Sequence, residues 1–181
     1  MANILELNLE DEERLCSLGA ALSSPARIQI LKLLYHNSFN VAEIAEIEKV
    51  SFKTPWSAQM IADELKNPLA NYFVVEKDAQ VLAYMGYYRI LDEAHITNIA
   101  VDGEYRRQGI AGNILLALEA EYASRGILYA TLEVRVSNTA AHELYLKHGF
   151  TDAGVRPGYY EKPREDAYIM WKTMEAASGS R

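Results

Sequence analysis

The chain carries a single cysteine, Cys16, among 181 residues. No internal disulfide can form, and a reducing cytoplasm fits. Cys16 stands among Leu15, Leu18 and Leu22 and reads as a small buried hydrophobe rather than a nucleophile. Uninterrupted apolar runs near the ~18–20 residues of a membrane span are missing, so no membrane role is expected. Basic residues are in the minority, 18 Lys and Arg against 25 Asp and Glu, for a net charge of −7. That balance argues against nonspecific nucleic-acid binding, which depends on phosphate neutralisation, and suits a basic substrate better. Cys, His and Asp nowhere recur at metal-ligand spacing, so no metal is expected. The first residues are acidic (Glu6, Glu10, Asp11, Glu12, Glu13), the reverse of a secretory signal. No repeat appears, and the only low-complexity stretch is the small polar tail Ala176 to Arg181.

Half the residues are apolar and 24% are charged, the composition of a globular protein with room for one sizeable core. Beyond Asn40 the pattern predicts helix, helix, strand, strand, strand, helix, strand, helix, strand. The helices are Val41 to Val50, Trp56-Ser57 to about Lys66, roughly Gln108 to Arg125, and Thr139 to His148, the last capped by Ser137 or Asn138 and stopped by Gly149. The strands are Tyr72 to Glu76, Val81 to Ile90, Ala94 to Val101, Ile127 to Val136 and Asp166 to Trp171. Alternating strands and helices with an antiparallel start imply a mixed α/β sheet. Before Asn40, Asp11 to Leu22 reads as a helix. Ser24-Pro25 then supplies an N-cap and a first-turn proline, and Ile28, Leu31, Leu34 and Tyr35 line one face of a second helix.

The segment Tyr105-Arg106-Arg107-Gln108-Gly109-Ile110-Ala111-Gly112-Asn113 lies between a strand and a long helix. Gly109 and Gly112, with Ala111 between, let backbone N–H groups approach a ligand closely. The helix start adds free N–H groups and a positive dipole end. Arg106 and Arg107 add cationic donors. Together these are what a pyrophosphate needs, although an ordinary glycine-softened strand–turn–helix would read the same way.

This R-x-x-G-x-A segment resembles the acyl-CoA loop of the GNAT superfamily of N-acetyltransferases. From about Ile44 to Met174 the chain resembles the RimI-type N-alpha-acetyltransferases within it. The matching pieces include Ile47-Glu48-Lys49-Val50-Ser51-Phe52, Thr54-Pro55-Trp56-Ser57, His95-Ile96-Thr97-Asn98-Ile99-Ala100-Val101, Leu132-Glu133-Val134-Arg135-Val136-Ser137-Asn138, Ala140-Ala141-His142-Glu143-Leu144-Tyr145, Gly158-Tyr159-Tyr160 and Glu165-Asp166-Ala167-Tyr168-Ile169-Met170. The resemblance implies the GNAT fold and acetyl-CoA as co-substrate. It implies acetylation of a protein N-terminus, the alanine of a small-subunit ribosomal protein. It makes Glu133 the general base and Tyr145 the general acid that reprotonates departing CoA. On local grounds alone, Glu133 could instead pair with Arg135, and Tyr145 could simply pack beside Leu144 and Leu146.

The cofactor-binding set implied is Ile99, Ala100 and Val101 on the strand, Arg106 to Gly112 on the loop (with Gln108 and Ile110), and Asn138, which is also a good N-cap. A backbone N–H on the Ile99 to Val101 strand would serve as the oxyanion donor, and that strand would hold the pantetheine arm like an added strand. The substrate cleft is expected between the Lys53 to Ser57 loop, Glu93 to His95, and Gly158-Tyr159-Tyr160. Tyr159 and Tyr160 can grip a peptide backbone through their hydroxyls. Trp56 reads as a staple on its helix start, with peptide contact as the alternative. His95 either polarises the site or is a solvated strand residue. An N-terminal target also fits chemically: with a pKa near ~7.7–8.0, something like a tenth to a third of α-amines are unprotonated at neutral pH, against under about a thousandth of lysines.

The first forty residues depart from this family. Leu22 to Leu34 and Asn40-Val41-Ala42-Glu43-Ile44-Ala45-Glu46 resemble the opening of ArsR-type winged-helix regulators, without the recognition helix or wing. A helical segment over 1–40, truncated and helix-turn-helix-like, is therefore expected to replace the usual first strand, ahead of the acetyltransferase domain 41–174 and a tail 175–181. Ile4 to Leu9 alternates and could act as that strand, but lies some thirty residues early. Alternatives that remain are an acyl-CoA-sensing transcriptional regulator and a folded but inactive acetyl-CoA binder. Neither DNA nor a membrane is expected as a partner, and the oligomeric state is not legible.

Overall fold

The computed structural model describes residues 30–33, 38–77 and 80–174. Its elements in order are β1 (Ile30–Leu33), α1 (Ser38–Ser51), α2 (Ala58–Glu64), β2 (Ala70–Lys77), β3 (Gln80–Ile90), β4 (Glu93–Val101), a 3₁₀ turn (Gly103–Tyr105), α3 (Ile110–Ser124), β5 (Tyr129–Arg135), α4 (Thr139–Lys147), β6 (Thr151–Glu161) and β7 (Arg164–Thr173). The seven strands form one sheet in the order β1-β2-β3-β4-β5-β7-β6. Every neighbouring pair is antiparallel except β4 with β5.

Each face of the sheet is covered by a helical layer. On one, Ile44, Ala45 and Ile47 of α1 and Ile61 of α2 pack with Tyr72, Val74, Val81, Tyr84 and Ala100. On the other, α3 turns Ile110, Ile114, Leu115, Leu118 and Tyr122 inward, the spacing of one helical stripe. Tyr145 and Phe150 join them, against Leu132, Val134 and Met170. Each such burial stabilises by about 1.5–3 kcal/mol relative to exposure. β3 is buried on both sides from Val81 to Tyr87, as its central place requires. No helix among the described residues is long and apolar enough to cross a membrane.

Two strands differ from expectation. Ile30–Leu33, read as part of a helix, is instead β1, antiparallel to β2 with Ile30 opposite Val75. Four residues, Ile30-Leu31-Lys32-Leu33, are too few to fix a period and fit either element, and the free edge of β2 decides it. The usual first strand is therefore present rather than replaced, and it is drawn from the regulator-like segment. The other expectations before Ile30 (Cys16, the helix Asp11 to Leu22, the strand-like Ile4 to Leu9, the winged-helix resemblance) fall largely or wholly outside the described residues. β6 was not expected at all. It holds Gly154, Pro157 and Gly158, which a central strand would not tolerate. At the sheet edge, with a register slip between Arg156 and Tyr160, they cost little.

Candidate active site

β4 and β5 run side by side only from Glu93 opposite Tyr129 to Ile96 opposite Leu132. Beyond that point β5 continues with β7 on its other side, Glu133 opposite Ile169 and Arg135 opposite Ala167. β4 continues with β3, Ile99 opposite Met85 and Val101 opposite Ala83. No described strand pairs the second edge of Thr97 to Val101, so the two parallel strands part at their carboxyl ends and leave a cleft through the sheet. At the fork β4 carries an extra residue. Gly86 lies opposite Asn98 and Tyr87 opposite Ile96, so Thr97 bulges. A Cβ on Gly86 would meet the Tyr72 ring at 2.9 Å and Thr97 Oγ1 at 3.0 Å, which is why glycine stands across from the bulge. The bulge also flips the alternation: Ala94 and Ile96 face the α3/α4 layer, while Ala100 packs in the α1/α2 layer, a re-aiming typical of bulges.

At the same end of the sheet, α3 begins one turn after β4. Its N-cap is Gly109, left-handed at φ 82, and no side chain caps it. By contrast Ser57 accepts from the Met60 N–H at α2, and Asn138 from the Ala141 N–H at α4. The first N–H groups of α3 thus remain available beside the cleft. A Cβ on Gly109 would meet nothing within 4 Å, so the space before the helix is open. Arg107, also left-handed at φ 63, is exposed and makes no hydrogen bond or ion pair among the described residues.

The remaining loop residues have more local roles than the motif suggests. The helix begins at Ile110 rather than Gln108, whose amide bonds the Glu104 carbonyl at 3.3 Å. Arg106 is a brace: its guanidinium donates to the Val101 carbonyl and to Ser51 Oγ, both at 2.9 Å. Ile110 points into the core, so only its backbone faces outward. The missing side chain of Gly112 admits a neighbour, since a Cβ there would come within 2.9 Å of His148 Nε2. Burial lowers the pKa of that imidazole. Ile99 and Val101 pack partly against the α3/α4 layer.

Across the cleft, β5 alternates cleanly. Ala130, Leu132 and Val134 are buried, and Thr131, Glu133 and Arg135 face the α1/α2 side. Arg135 does share a face with Glu133 but does not pair with it. Its guanidinium sits 3.9 Å from the centre of the Tyr160 ring and bonds Glu165 at 3.0 Å. Glu165 also accepts from the Ser137 N–H at 2.7 Å, and these contacts, Ser137 first, lower its pKa. The partner of Glu133 is Arg156 of β6, at 3.3 Å, with the arginine side chain 57% exposed and the carboxylate 28%. Nothing in the sequence announces that contact, because the edge strand that makes it was not legible.

Tyr145 enters from the opposite, α4 side. It packs edge-on to Phe150 at 5.8 Å, and its hydroxyl has no hydrogen-bond partner among the described residues. Burial pushes its phenol far above the ordinary tyrosine range, with Tyr160 adding to the effect. Tyr160 joins the two sides of β5: its hydroxyl donates to the Glu133 carbonyl at 3.2 Å. Burial, then Tyr159, push its pKa up to about 12. Tyr159 stands edge-on to Tyr160 at 4.9 Å, under the Arg156 guanidinium at 4.8 Å. Glu133, Tyr145, Tyr159 and Tyr160 therefore form one cluster at the fork.

The other substrate candidates divide. Trp56 is half-buried in the α1/α2 layer together with Ile61, one position before the N-cap Ser57, as a staple requires. Glu93 and His95 pair with each other at 2.8 Å on the face of Glu133. Glu93, however, lies level with Tyr129, so Glu133 is four residues on, about 13 Å along the strand direction. His95, level with Thr131, is a diagonal neighbour at about 7 Å. Sequence reasoning passed over Glu48, whose carboxylate is buried at 1% exposure between α1 and the sheet. Among the described residues no group of His, Cys, Asp and Glu is gathered that could hold a metal ion.

The model of the acetyltransferase (GNAT) family matches residues 41–150. A ribosomal protein bS18-alanine N-acetyltransferase of Haemophilus ducreyi is 35% identical over 144 residues, 78% of this chain and 97% of that relative. The crystal structure of the ribosomal-protein-S18-alanine N-acetyltransferase from Escherichia coli superposes with a TM-score of 0.72 at 32% identity, covering 83% of this chain and 97% of the other. A GNAT family acetyltransferase from Elizabethkingia anophelis, solved with acetyl-CoA bound, shares the fold at TM-score 0.61 and 16% identity, over 71% of this chain and 88% of its own.

Proposed function

Because the chain belongs to the GNAT family of acetyltransferases, we propose that it moves an acetyl group from acetyl-CoA to the N-terminal amine of a protein, with the N-terminal alanine of a small-subunit ribosomal protein as substrate. The observation that carries this reading is the fork of β4 and β5, with an uncapped helix end on one side and a carboxylate–tyrosine cluster on the other. The pyrophosphate of acetyl-CoA would lie on the Gly109 to Gly112 N–H groups beside Arg107, with Asn138 alongside. Its pantetheine arm would run along the unpaired edge of Thr97 to Val101. The amine would arrive from the α1/α2 face, where Glu133 points.

Glu133 takes a proton from the substrate ammonium, directly or through water, and the freed amine attacks the acetyl carbonyl. A backbone N–H of Ile99 to Val101 steadies the oxyanion. Tyr145, held neutral by burial, gives its proton to the departing sulfur from the other face of β5 as the C–S bond breaks, and the second proton that the nitrogen loses restores it through solvent. His95, Tyr159 and Tyr160 flank the peptide, and Trp56 anchors the end of the loop that walls it. Names borne by relatives at 35–39% identity support an alanine N-terminus of bS18-type protein.

The test is the full chain with acetyl-CoA and a peptide beginning with alanine and carrying an internal lysine, read by mass. One acetyl group on the α-amine is expected, and none when that amine is blocked beforehand. Acetylation confined to the lysine would overturn the assignment.

A further inference from the structure

Glu48 is the one charged residue in the buried set of the described chain, and the chemistry above does not use it. Its carboxylate receives donors from three separate parts of the fold. Oε1 accepts from the Asn98 amide at 3.1 Å and from the Tyr84 hydroxyl, and Oε2 accepts from the Trp56 N–H at 2.8 Å. Tyr84 belongs to β3 and Asn98 to β4 just past the fork. Trp56 ends the loop between α1 and α2. The Glu48 carbonyl accepts from the Phe52 N–H at 2.9 Å, at the start of that loop. One turn later Ser51 is tied through Arg106 to the Val101 carbonyl. The last turn of α1 is thereby fixed to β4 at both ends of its unpaired stretch, with the Phe52 to Ser57 loop held at both of its own ends.

Such a carboxylate is expensive. Burial raises its pKa, against the opposing pull of the Trp56 and Asn98 bonds. An apolar side chain of similar volume would commonly stabilise a fold as well or better. What the carboxylate supplies is acceptors at both ends. A leucine would leave three donors unsatisfied, and an amide would turn an N–H toward one of them.

We propose that Glu48 is a positioning residue for the peptide: it sets the Phe52 to Ser57 loop at a fixed distance from the stretch of β4 that bears the acyl group. This rests on the N-terminal acetyltransferase reading above. It separates the two substrates, because acetyl-CoA meets β4 and α3, whereas the peptide must pass between the loop and Glu133.

The experiment measures steady-state kinetics with an alanine-initiated peptide, and acetyl-CoA affinity by calorimetry, on the full chain. Glu48→Gln should raise the peptide KM about 10- to 100-fold, the scale on which misplaced substrates lose rate. Acetyl-CoA Kd should stay within about twofold, since Glu48 meets β4 only through the Asn98 side chain and the backbone of that stretch stays paired with β3. Tyr84→Phe keeps the ring and removes one donor, and should move peptide KM the same way by several-fold. A purely structural role would lower the active fraction, and so Vmax, without moving KM. Wild-type peptide KM in both variants overturns the proposal, as does an equal weakening of acetyl-CoA binding. If Glu48→Gln fails to fold, Tyr84→Phe decides. A wild-type chain that binds acetyl-CoA yet acetylates no peptide sinks the N-terminal reading and this one together. Normal turnover with an unmoved KM sinks this one alone.

Discussion

The two sides of the β4–β5 fork are made of different material. On the acyl-carrier side the groups offered are backbone: an unpaired strand edge, a helix end with no side-chain cap, and two left-handed residues, Arg107 and Gly109. On the amine side they are side chains from distant parts of the chain, Glu133 on β5, Tyr145 on α4, Arg156, Tyr159 and Tyr160 on β6. Backbone recognition suits a ligand whose phosphates and amides are always the same. Side-chain recognition can be retuned by substitution and can hold or release a proton. The comparison teaches where chemistry and where affinity should be lost. Changes on the amine side should act on turnover, and changes on the carrier side on acetyl-CoA binding.

The largest effect is expected at Glu133. Glu133→Gln keeps size and hydrogen bonding but cannot accept a proton, so kcat/KM should fall about 10²–10⁴-fold at pH 7. Raising the pH past ~8, where the α-amine is already free, should recover part of it. Acetyl-CoA Kd should not move. Wild-type turnover at pH 7 would make Glu133 a structural carboxylate and leave the amine side without a base.

Tyr145→Phe comes next. It deletes a hydroxyl that makes no bond among the described residues, so the packing against Phe150 survives. We expect kcat to fall about 10²-fold with no recovery at high pH, because base does not help the leaving group. A variant that loses its cooperative melt but keeps kcat per folded molecule would show that Tyr145 serves the core alone.

The same contrast explains what could be read from the sequence. The carrier side is local: one strand, one loop and one helix within twenty residues, so spacing and glycine placement carry it. Motif position singled out Glu133 and Tyr145, but not their surroundings. The partner of Glu133 is Arg156, on a strand that Pro157 and Gly158 hide and that only a sheet edge tolerates. β1 was mistaken for helix because four residues, three apolar ones and Lys32, have no decisive period. Glu48 passed unnoticed since a single Glu in a helix reads as surface until Tyr84, Asn98 and Trp56 are seen to converge on it. Long-range pairing accounts for each miss.

Gly109 and Gly112, three residues apart in one motif, should fail differently. Gly109→Ala asks an L-residue to hold φ 82, at about 1–2 kcal/mol. The loop should relax and acetyl-CoA affinity drop roughly tenfold, with peptide KM little changed. Gly112→Ala drives a Cβ to 2.9 Å from His148 Nε2, an overpacking worth about 1–3 kcal/mol of stability. Its signature is a lower Tm. Equal losses of affinity in both variants would mean that the ligand needs the space at the Gly112 Cα as well as its N–H.

The smallest effect is expected at Arg156, and it is the sharpest test of the amine side. Its ion pair with Glu133 is long at 3.3 Å and the arginine side chain is 57% exposed, so its worth is at most about 1 kcal/mol. On the proposed reading the guanidinium sits where the substrate ammonium would meet Glu133, and the Tyr159 ring 4.8 Å away gives it somewhere to withdraw. Arg156→Ala should therefore lower peptide KM by a few-fold, the factor that about 1 kcal/mol corresponds to. Stability should change by no more than that, and acetyl-CoA Kd not at all, since the side chain of Arg156, on an edge strand, meets Glu133 and Tyr159 and has no contact with α3 among the described residues. Arg156→Lys, which keeps a cation but loses the planar fork, should fall between. If peptide KM rises instead, Arg156 binds the peptide rather than competing with it. The amine side would then be a clamp with a cation of its own, and acidic residues near the substrate N-terminus, not the bare ammonium, would be what it selects.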